Sequence, residues 1–102
     1  MDKFEGNVVL ITGGADGIGK GCVMRFVELG ATVIIGDIQE AKARALADEM
    51  GSSTHFIPLD VTDNKSWESA VARINEDFGG LHVLVNNAGI SARQSVEDMD
   101  LS

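Results

Sequence analysis

The feature that most constrains the fold is the alternation of short apolar runs with longer stretches of helical periodicity. Runs such as "VVLIT" and "ATVIIGD" are rich in β-branched residues and lack a strict apolar–polar alternation, as is typical of strands buried on both faces. The predicted strands are residues 8–12, 31–37, 54–60 and 81–87, and the predicted helices are residues 17–29, 39–50 and 63–78. This β-α-β-α-β-α-β order predicts right-handed crossovers and a parallel sheet, hence an α/β fold.

Single residues mark where these elements stop. Gly30, Gly51 and the pair Gly79-Gly80 follow the three predicted helices, as helix-terminating glycines do. Asp63 is placed to cap the third helix, and Pro58 marks the end of the third strand or an edge position. The connections are short, and we predict one domain over residues 1–102.

Composition excludes several classes of protein. With 44% hydrophobic and 24% charged residues and one proline, the chain is globular rather than disordered. Its net charge of −8 argues against nucleic acid or an anionic membrane as the main partner. Cys22 is the one cysteine, so no intramolecular disulfide can form, and no apolar run has the length of a signal peptide or membrane helix. We therefore expect a cytoplasmic protein without a metal site.

The stretch "TGGADGIG" lies between the first strand and the first helix. Glycine at positions 13, 17 and 19 would let backbone N–H groups approach a pyrophosphate, which the N-terminus of the following helix also attracts. The spacing is T-G-x-x-x-G-x-G, and the G-x-G-x-x-G fingerprint does not occur. On this stretch alone, a merely flexible turn remains an alternative.

Three further features stand at the ends of the other strands. Asp37 ends the second strand, where a carboxylate can accept hydrogen bonds from both hydroxyls of an adenosine ribose or can cap the next helix. Asp60, followed by Val61, could accept from an adenine amino group or could simply make a turn. After the fourth strand, "NNAG" at residues 86–89 offers two amides and a glycine.

Together, "TGGADGIG", Asp37, the "DV" pair at residues 60–61 and "NNAG" resemble the short-chain dehydrogenase/reductases, in order and in spacing, over essentially the whole chain. The resemblance implies a Rossmann-like doubly wound sheet, present as its N-terminal half with strand order 3-2-1-4. It assigns the pyrophosphate and adenosine ribose to Gly13, Gly17, Ile18 and Gly19, with Asp37 at the ribose hydroxyls. It assigns the adenine to Asp60 and Val61, the side toward the nicotinamide to residues 87–89, and a tie between neighbouring strands to Asn86. The expected cofactor-binding residues are Gly13, Asp16, Gly17, Ile18, Gly19, Asp37, Ile38, Asp60, Val61, Asn87, Ala88 and Gly89.

The same resemblance implies the cofactor and the reaction. NAD is expected rather than NADP, because Asp37 would face and repel a 2′-phosphate, and Asp16 supplies no cation in a loop where NADP-using relatives often carry one. The full-length relatives would transfer a hydride between NAD(H) and a small alcohol or ketone, as homo-oligomers. Neither nucleic acid nor a membrane is expected as a partner.

The groups that would perform that chemistry are missing from these 102 residues. The family's Tyr-x-x-x-Lys follows "NNAG", but this chain has no tyrosine, and its four lysines, Lys3, Lys20, Lys42 and Lys65, all precede the fourth strand. We predict no catalytic residue here and assign packing roles to His55, His82 and Cys22. The chain is then the cofactor half of an oxidoreductase, inactive alone. The alternatives are a nucleotide-binding module without turnover and a non-functional fragment. An uncovered fourth-strand edge would also favour self-association.

Overall fold

A computed structural model describes residues 3–87, which form a four-stranded parallel sheet with three helices. The elements are β1 (Val8–Thr12), α1 (Gly17–Glu28), β2 (Thr32–Asp37), α2 (Glu40–Met50), β3 (Thr54–Pro58), α3 (Asn64–Phe78) and β4 (Val83–Asn86). The strand order is β3-β2-β1-β4, which confirms the predicted doubly wound arrangement. Leu10 of β1 lies opposite Ile34 of β2 and Leu84 of β4, so both halves of the sheet are in parallel register around β1.

Two apolar clusters cover the two faces of the sheet. On one face, Val9 and Ile11 of β1 pack in a cluster with Val23 of α1 and Leu46 of α2. On the other face, Leu10 clusters with Ile74 of α3. Because neighbouring residues of β1 enter opposite clusters, every residue of that strand is buried. This explains why "VVLIT" has no polar alternation.

The helix ends follow local chemistry. Asp63 caps α3 as predicted, accepting a hydrogen bond from the Lys65 N–H at 3.0 Å. Gly79, with φ of +80°, ends that helix in the left-handed conformation. The residue that caps α2 is Gln39, without a side-chain bond, rather than Asp37. The interpretation of Asp37 as a helix cap is therefore wrong, although its Oδ1 accepts from the Gln39 N–H at 2.9 Å.

Three predicted strands are too long. The second begins at Thr32 instead of residue 31. The third ends at Pro58 instead of residue 60, because Asp60 belongs to a turn. The fourth runs from Val83 to Asn86 instead of from residue 81 to residue 87. His82 precedes it and forms two 2.9 Å bonds with the Val8 backbone, donating its own N–H to the carbonyl and accepting the amide at Nδ1.

The remaining single residues have the packing roles expected for them. The His55 ring lies 4.8 Å from that of Phe78, between centroids. Cys22 is half-buried against the cluster of α1 and α2. Within residues 3–87 there is no group of metal-ligating side chains, and none of the helices there is long and apolar enough to cross a membrane.

Candidate cofactor site

The carboxyl ends of the strands bring the predicted residues to one edge of the sheet. A cleft of about 200 Å³ opens there, and Gly13, Asp37 and Asp60 line it at the ends of β1, β2 and β3. Its other lining residues are Gly36, Ile38, Leu59, Val61 and Thr62. In doubly wound sheets, ligands bind outside the carboxyl ends of the strands, at the point where the strand order reverses. That reversal is here between β1 and β4.

The glycine turn is held tightly against the sheet and the first turn of α1. The Gly13 N–H donates to the Gly36 carbonyl at 2.8 Å, which fixes the turn to the end of β2. A Cβ on Gly19 would overlap the Gly13 carbonyl oxygen and would lie 2.9 Å from Asn87 Nδ2. Gly17 has a φ of +53°, in the region where side chains are strained. Glycine is therefore required at position 19 by contact and favoured at position 17 by conformation.

Two further glycines matter that the sequence pattern did not single out. A Cβ on Gly14 would lie 3.1 Å from methyl groups of Ile35 and Val23, where α1 approaches the sheet. A Cβ on Gly36 would lie 2.9 Å from Leu59 Cδ2. Neither glycine has a positive φ, so only the packing of neighbours reveals why they are small.

Asp37 is a buried carboxylate, with 6% of its surface exposed. Its Oδ2 accepts from the Ala15 N–H at 3.1 Å, and its Oδ1 accepts from the Gln39 N–H at 2.9 Å. One side chain thus joins the glycine turn to the turn after β2. An ionised carboxylate has about four acceptor directions, so two remain for a ligand.

Asp16 has two structural contacts. Its Oδ1 accepts from the Gly17 N–H at 3.2 Å, as the cap of α1. Its Oδ2 lies 3.1 Å from Lys42 Nζ on α2. The hydrogen bond and charge of Lys42 hold the pKa of Asp16 below its usual range, with smaller contributions from the Gly17 N–H and Lys20.

Asp60 forms a turn and also lines the cleft. Its Oδ1 accepts from the Thr62 hydroxyl at 2.6 Å and from the Thr62 N–H at 3.0 Å. These bonds lower the pKa of Asp60. The neighbouring Val61 carbonyl accepts from Trp67 Nε1 at 2.9 Å. This bond, which no local sequence pattern indicates, fixes the backbone on that wall of the cleft.

The amides after β4 fasten that strand to the glycine turn. Asn87 Nδ2 donates to the Gly13 carbonyl at 3.3 Å. Asn86 Oδ1 accepts from the Thr12 hydroxyl at 2.9 Å, so it ties β4 to β1 as the resemblance implied. The predicted site residues Ala88 and Gly89 lie outside the described residues.

Two large apolar side chains near the cleft remain in water. Ile18, in the first turn of α1, is 78% exposed, and Ile38, which lines the cleft beside Asp37, is 74% exposed. Most exposed isoleucines need no explanation. Here, however, both belong to the predicted site, so they offer apolar surface to a bound molecule.

Comparison with known proteins extends the resemblance. A 2,5-dichloro-2,5-cyclohexadiene-1,4-diol dehydrogenase of Sphingobium indicum is 48% identical over 92 residues, covering 87% of this chain and 37% of its own length. A 3-alpha-(or 20-beta)-hydroxysteroid dehydrogenase of Mycobacterium tuberculosis is 43% identical over 98% of this chain and 38% of its own length. A trans-4-hydroxycyclohexanecarboxylate dehydrogenase of Sinomonas cyclohexanicum is 42% identical over 98% and 42%.

The chain thus spans about two fifths of the length of these relatives. The family model described as short chain dehydrogenase matches residues 7–102. That match includes the glycine turn and all four strands that build the cleft. The chain therefore belongs to the short-chain dehydrogenase family.

Proposed function

We propose that the chain binds NAD(H) and forms the cofactor-binding portion of an oxidoreductase that transfers a hydride between NAD(H) and an alcohol or ketone. Membership of the family implies a nicotinamide cofactor. The observation that supports NAD(H) in particular is Asp37, a buried carboxylate held by two backbone N–H groups at the edge of the cleft.

The adenosine ribose would bind at Asp37. The two free acceptor directions of that carboxylate suit the 2′- and 3′-hydroxyls of NAD, each of which can donate a hydrogen bond. A 2′-phosphate would place a second negative charge there. At about 4 Å and an effective dielectric constant of about 20, two like charges repel by about 4 kcal/mol. Because Asp37 is 94% buried (6% exposed), water screens this repulsion poorly, and NAD(H) is preferred.

The rest of the dinucleotide fits the neighbouring residues. The adenine would enter the cleft between Ile38 and Val61, beside Asp60, where the walls are mainly apolar. The pyrophosphate would lie at the N-terminus of α1, against Gly13, Gly17, Ile18 and Gly19, since a helix N-terminus attracts anions. Asn87, with Ala88 and Gly89, is assigned to the nicotinamide side by the family resemblance.

The nicotinamide, when bound, accepts or supplies the hydride, and this chain's part is to hold and orient it. The substrate class is inferred from the relatives, whose names describe dehydrogenases of hydroxylated compounds. A carbonyl that accepts a hydride also needs a proton from a general acid. We assign that role to no residue here, since the chain contains no tyrosine. This absence favours a second candidate, nucleotide binding without turnover by the 102 residues alone.

Cofactor titration tests the proposal. The purified protein is titrated with NADH and NADPH, and NADH is expected to bind at least about tenfold more tightly. Asp37→Asn removes the charge but keeps one acceptor oxygen, so it should weaken NADH and narrow the difference. Asp48→Asn is the matched control, because it removes the same charge near the C-terminal end of α2. Asp48 lines a different cavity, together with Thr54 and Phe56.

Two results would contradict the proposal. Equal or tighter binding of NADPH by the native protein would refute the choice of cofactor. If Asp37→Asn and Asp48→Asn change the ratio of the NADH and NADPH affinities equally, Asp37 is not the ribose acceptor. Reading the codons after Ser102 separates the two candidate functions: a continuation into Tyr-x-x-x-Lys favours the oxidoreductase, and its absence favours nucleotide binding without turnover.

A further inference from the structure

We propose that Asp16 is a specificity-determining residue: by occupying Lys42, it keeps that ammonium group from binding a phosphate on the cofactor ribose. The inference rests on the proposed NAD(H) function. It adds a second element of discrimination beside the charge of Asp37, and it gives a role to an exposed ion pair that contributes little to the fold.

The pair lies in a groove next to the proposed ribose position. This groove, on the α2 side of the glycine turn, has a volume of about 280 Å³ and is lined by Ala15, Asp16, Lys20, Lys42 and Glu49, among others. Ala15 joins it to Asp37, because the Ala15 N–H donates to the Asp37 carboxylate. A phosphate on a ribose hydroxyl bound at Asp37 would therefore come close to the opening of this charged groove.

The ion pair positions the Lys42 ammonium group more than it stabilises the fold. Lys42 Nζ lies 3.1 Å from Asp16 Oδ2, and the two side chains are 58% and 64% exposed. Ion pairs with this exposure contribute little to stability. The consequence of the contact is therefore positional: while Asp16 carries its charge, the ammonium group of Lys42 is directed to the glycine turn.

The charges of the groove balance as long as Asp16 is present. Asp16 and Glu49 oppose Lys20 and Lys42, which leaves no net charge to attract a phosphate. Neutralising Asp16 would leave a net positive charge and would free Lys42. An ammonium group and a phosphate form charge-assisted hydrogen bonds, which are stronger than neutral ones.

Asparagine at position 16 isolates this effect from the fold. Asp16 also caps α1 through Oδ1, and asparagine is as good a helix cap as aspartate. Asp16→Asn thus keeps the cap and the shape of the side chain, and it removes the charge that holds Lys42.

The test compares NADPH and NADH binding by the purified native protein, Asp16→Asn, Lys42→Met and the double variant. Asp16→Asn should tighten NADPH binding relative to NADH binding by about fivefold, as expected for the release of one exposed ion pair. The double variant should lose most of this gain. The gain should also shrink as salt is raised, because salt screens exposed charges. The series is measured both in the native protein and in the Asp37→Asn variant. If one of these two backgrounds folds poorly, the other still gives the result.

Each outcome decides one point. If Asp16→Asn brings no gain for NADPH in a protein that prefers NADH, the inference is wrong and the proposed function stands. An equal gain in the double variant would show that loss of the negative charge acts alone and that Lys42 has no part. Asp48→Asn removes a negative charge from α2 outside the groove and should give no gain in NADPH binding. A similar gain in Asp48→Asn would also refute the inference. A native protein without preference for NADH would instead overturn the proposed function.

Discussion

Replacing Gly19 with alanine tests whether the contact between α1 and the glycine turn is as close as the structure shows. The added Cβ would overlap the Gly13 carbonyl oxygen and approach Asn87 Nδ2 to 2.9 Å. The Gly13 oxygen is backbone and cannot rotate away, so the turn must move. The movement would also disturb the 3.3 Å bond from Asn87 to Gly13, which fastens β4 to the turn.

Gly21→Ala is a matched control two residues further along the same helix. A Cβ on Gly21 meets no atom within 4 Å. There, alanine should stabilise the protein by about 1 kcal/mol, the difference in helix propensity between the two residues. The same propensity gain applies at position 19. The two variants should therefore differ by the cost of overpacking alone, about 1–3 kcal/mol.

Urea unfolding of the two variants measures this difference, and an NADH titration reports on the site. Gly19→Ala should be the less stable variant and should bind NADH at least about tenfold more weakly, since the displaced turn carries the proposed pyrophosphate contacts. Gly21→Ala should bind as the native protein does. Equal stability of the two variants would refute the close contact, and native-like NADH binding by Gly19→Ala would refute its importance for the site.

Four more predictions follow from the structure. Thr54 Oγ1 is buried and has no hydrogen-bond partner among residues 3–87, so Thr54→Val should raise the free energy of unfolding by about 1 kcal/mol; a loss of stability in urea would reveal a partner. Lys42→Met should raise the lowered pKa of Asp16 toward the ordinary value of an aspartate, 3.8, as followed by carboxyl NMR, whereas Lys65→Met should not. Since the folded pKa is the lower one, stabilisation of the charged Asp16 is present above pH 3.8 and is lost as the pH falls through the folded pKa. The 102 residues alone should show no hydride transfer with any alcohol or ketone, and turnover that survives repurification but disappears in Gly17→Val would contradict this. Val83–Asn86 forms an edge of the sheet among the described residues, and the isolated 102 residues should self-associate there; a monodisperse monomer in sedimentation, with slowly exchanging Val83 and Val85 amides, would show that the edge is covered.

The order of the elements could be predicted because it depends on local properties. Apolar β-branched runs indicated buried strands, and Asp63 showed where α3 begins. The strand order, in contrast, came from family resemblance, since neither periodicity nor capping specifies which strands pair. The predicted end of the third strand and start of the fourth were wrong because side chains there form bonds in place of the backbone of a neighbouring strand. Thr62 holds Asp60 in a turn, and the Val8 N–H donates to the His82 ring.

The candidate site was predictable to the extent that its residues are marked by their own chemistry. Glycine at position 19 and a carboxylate at the end of β2 stand out in the sequence. Gly14 and Gly36 did not, because their neighbours, and not their own backbone angles, require them to be small. The partner of Asp16 is 26 positions away, so only the packing of α2 against the glycine turn reveals that this acidic residue is neutralised.

The two hydrogen bonds that Asp37 accepts from the backbone connect cofactor choice with the integrity of the fold. The carboxylate proposed to select NAD also holds two loops together. A lineage or an engineer that exchanges this residue to admit a 2′-phosphate therefore loosens both loops at once. The exchange is expected to be accessible only after another acceptor for the Ala15 and Gln39 amides has appeared, so the order in which substitutions accumulate is constrained by folding as well as by binding.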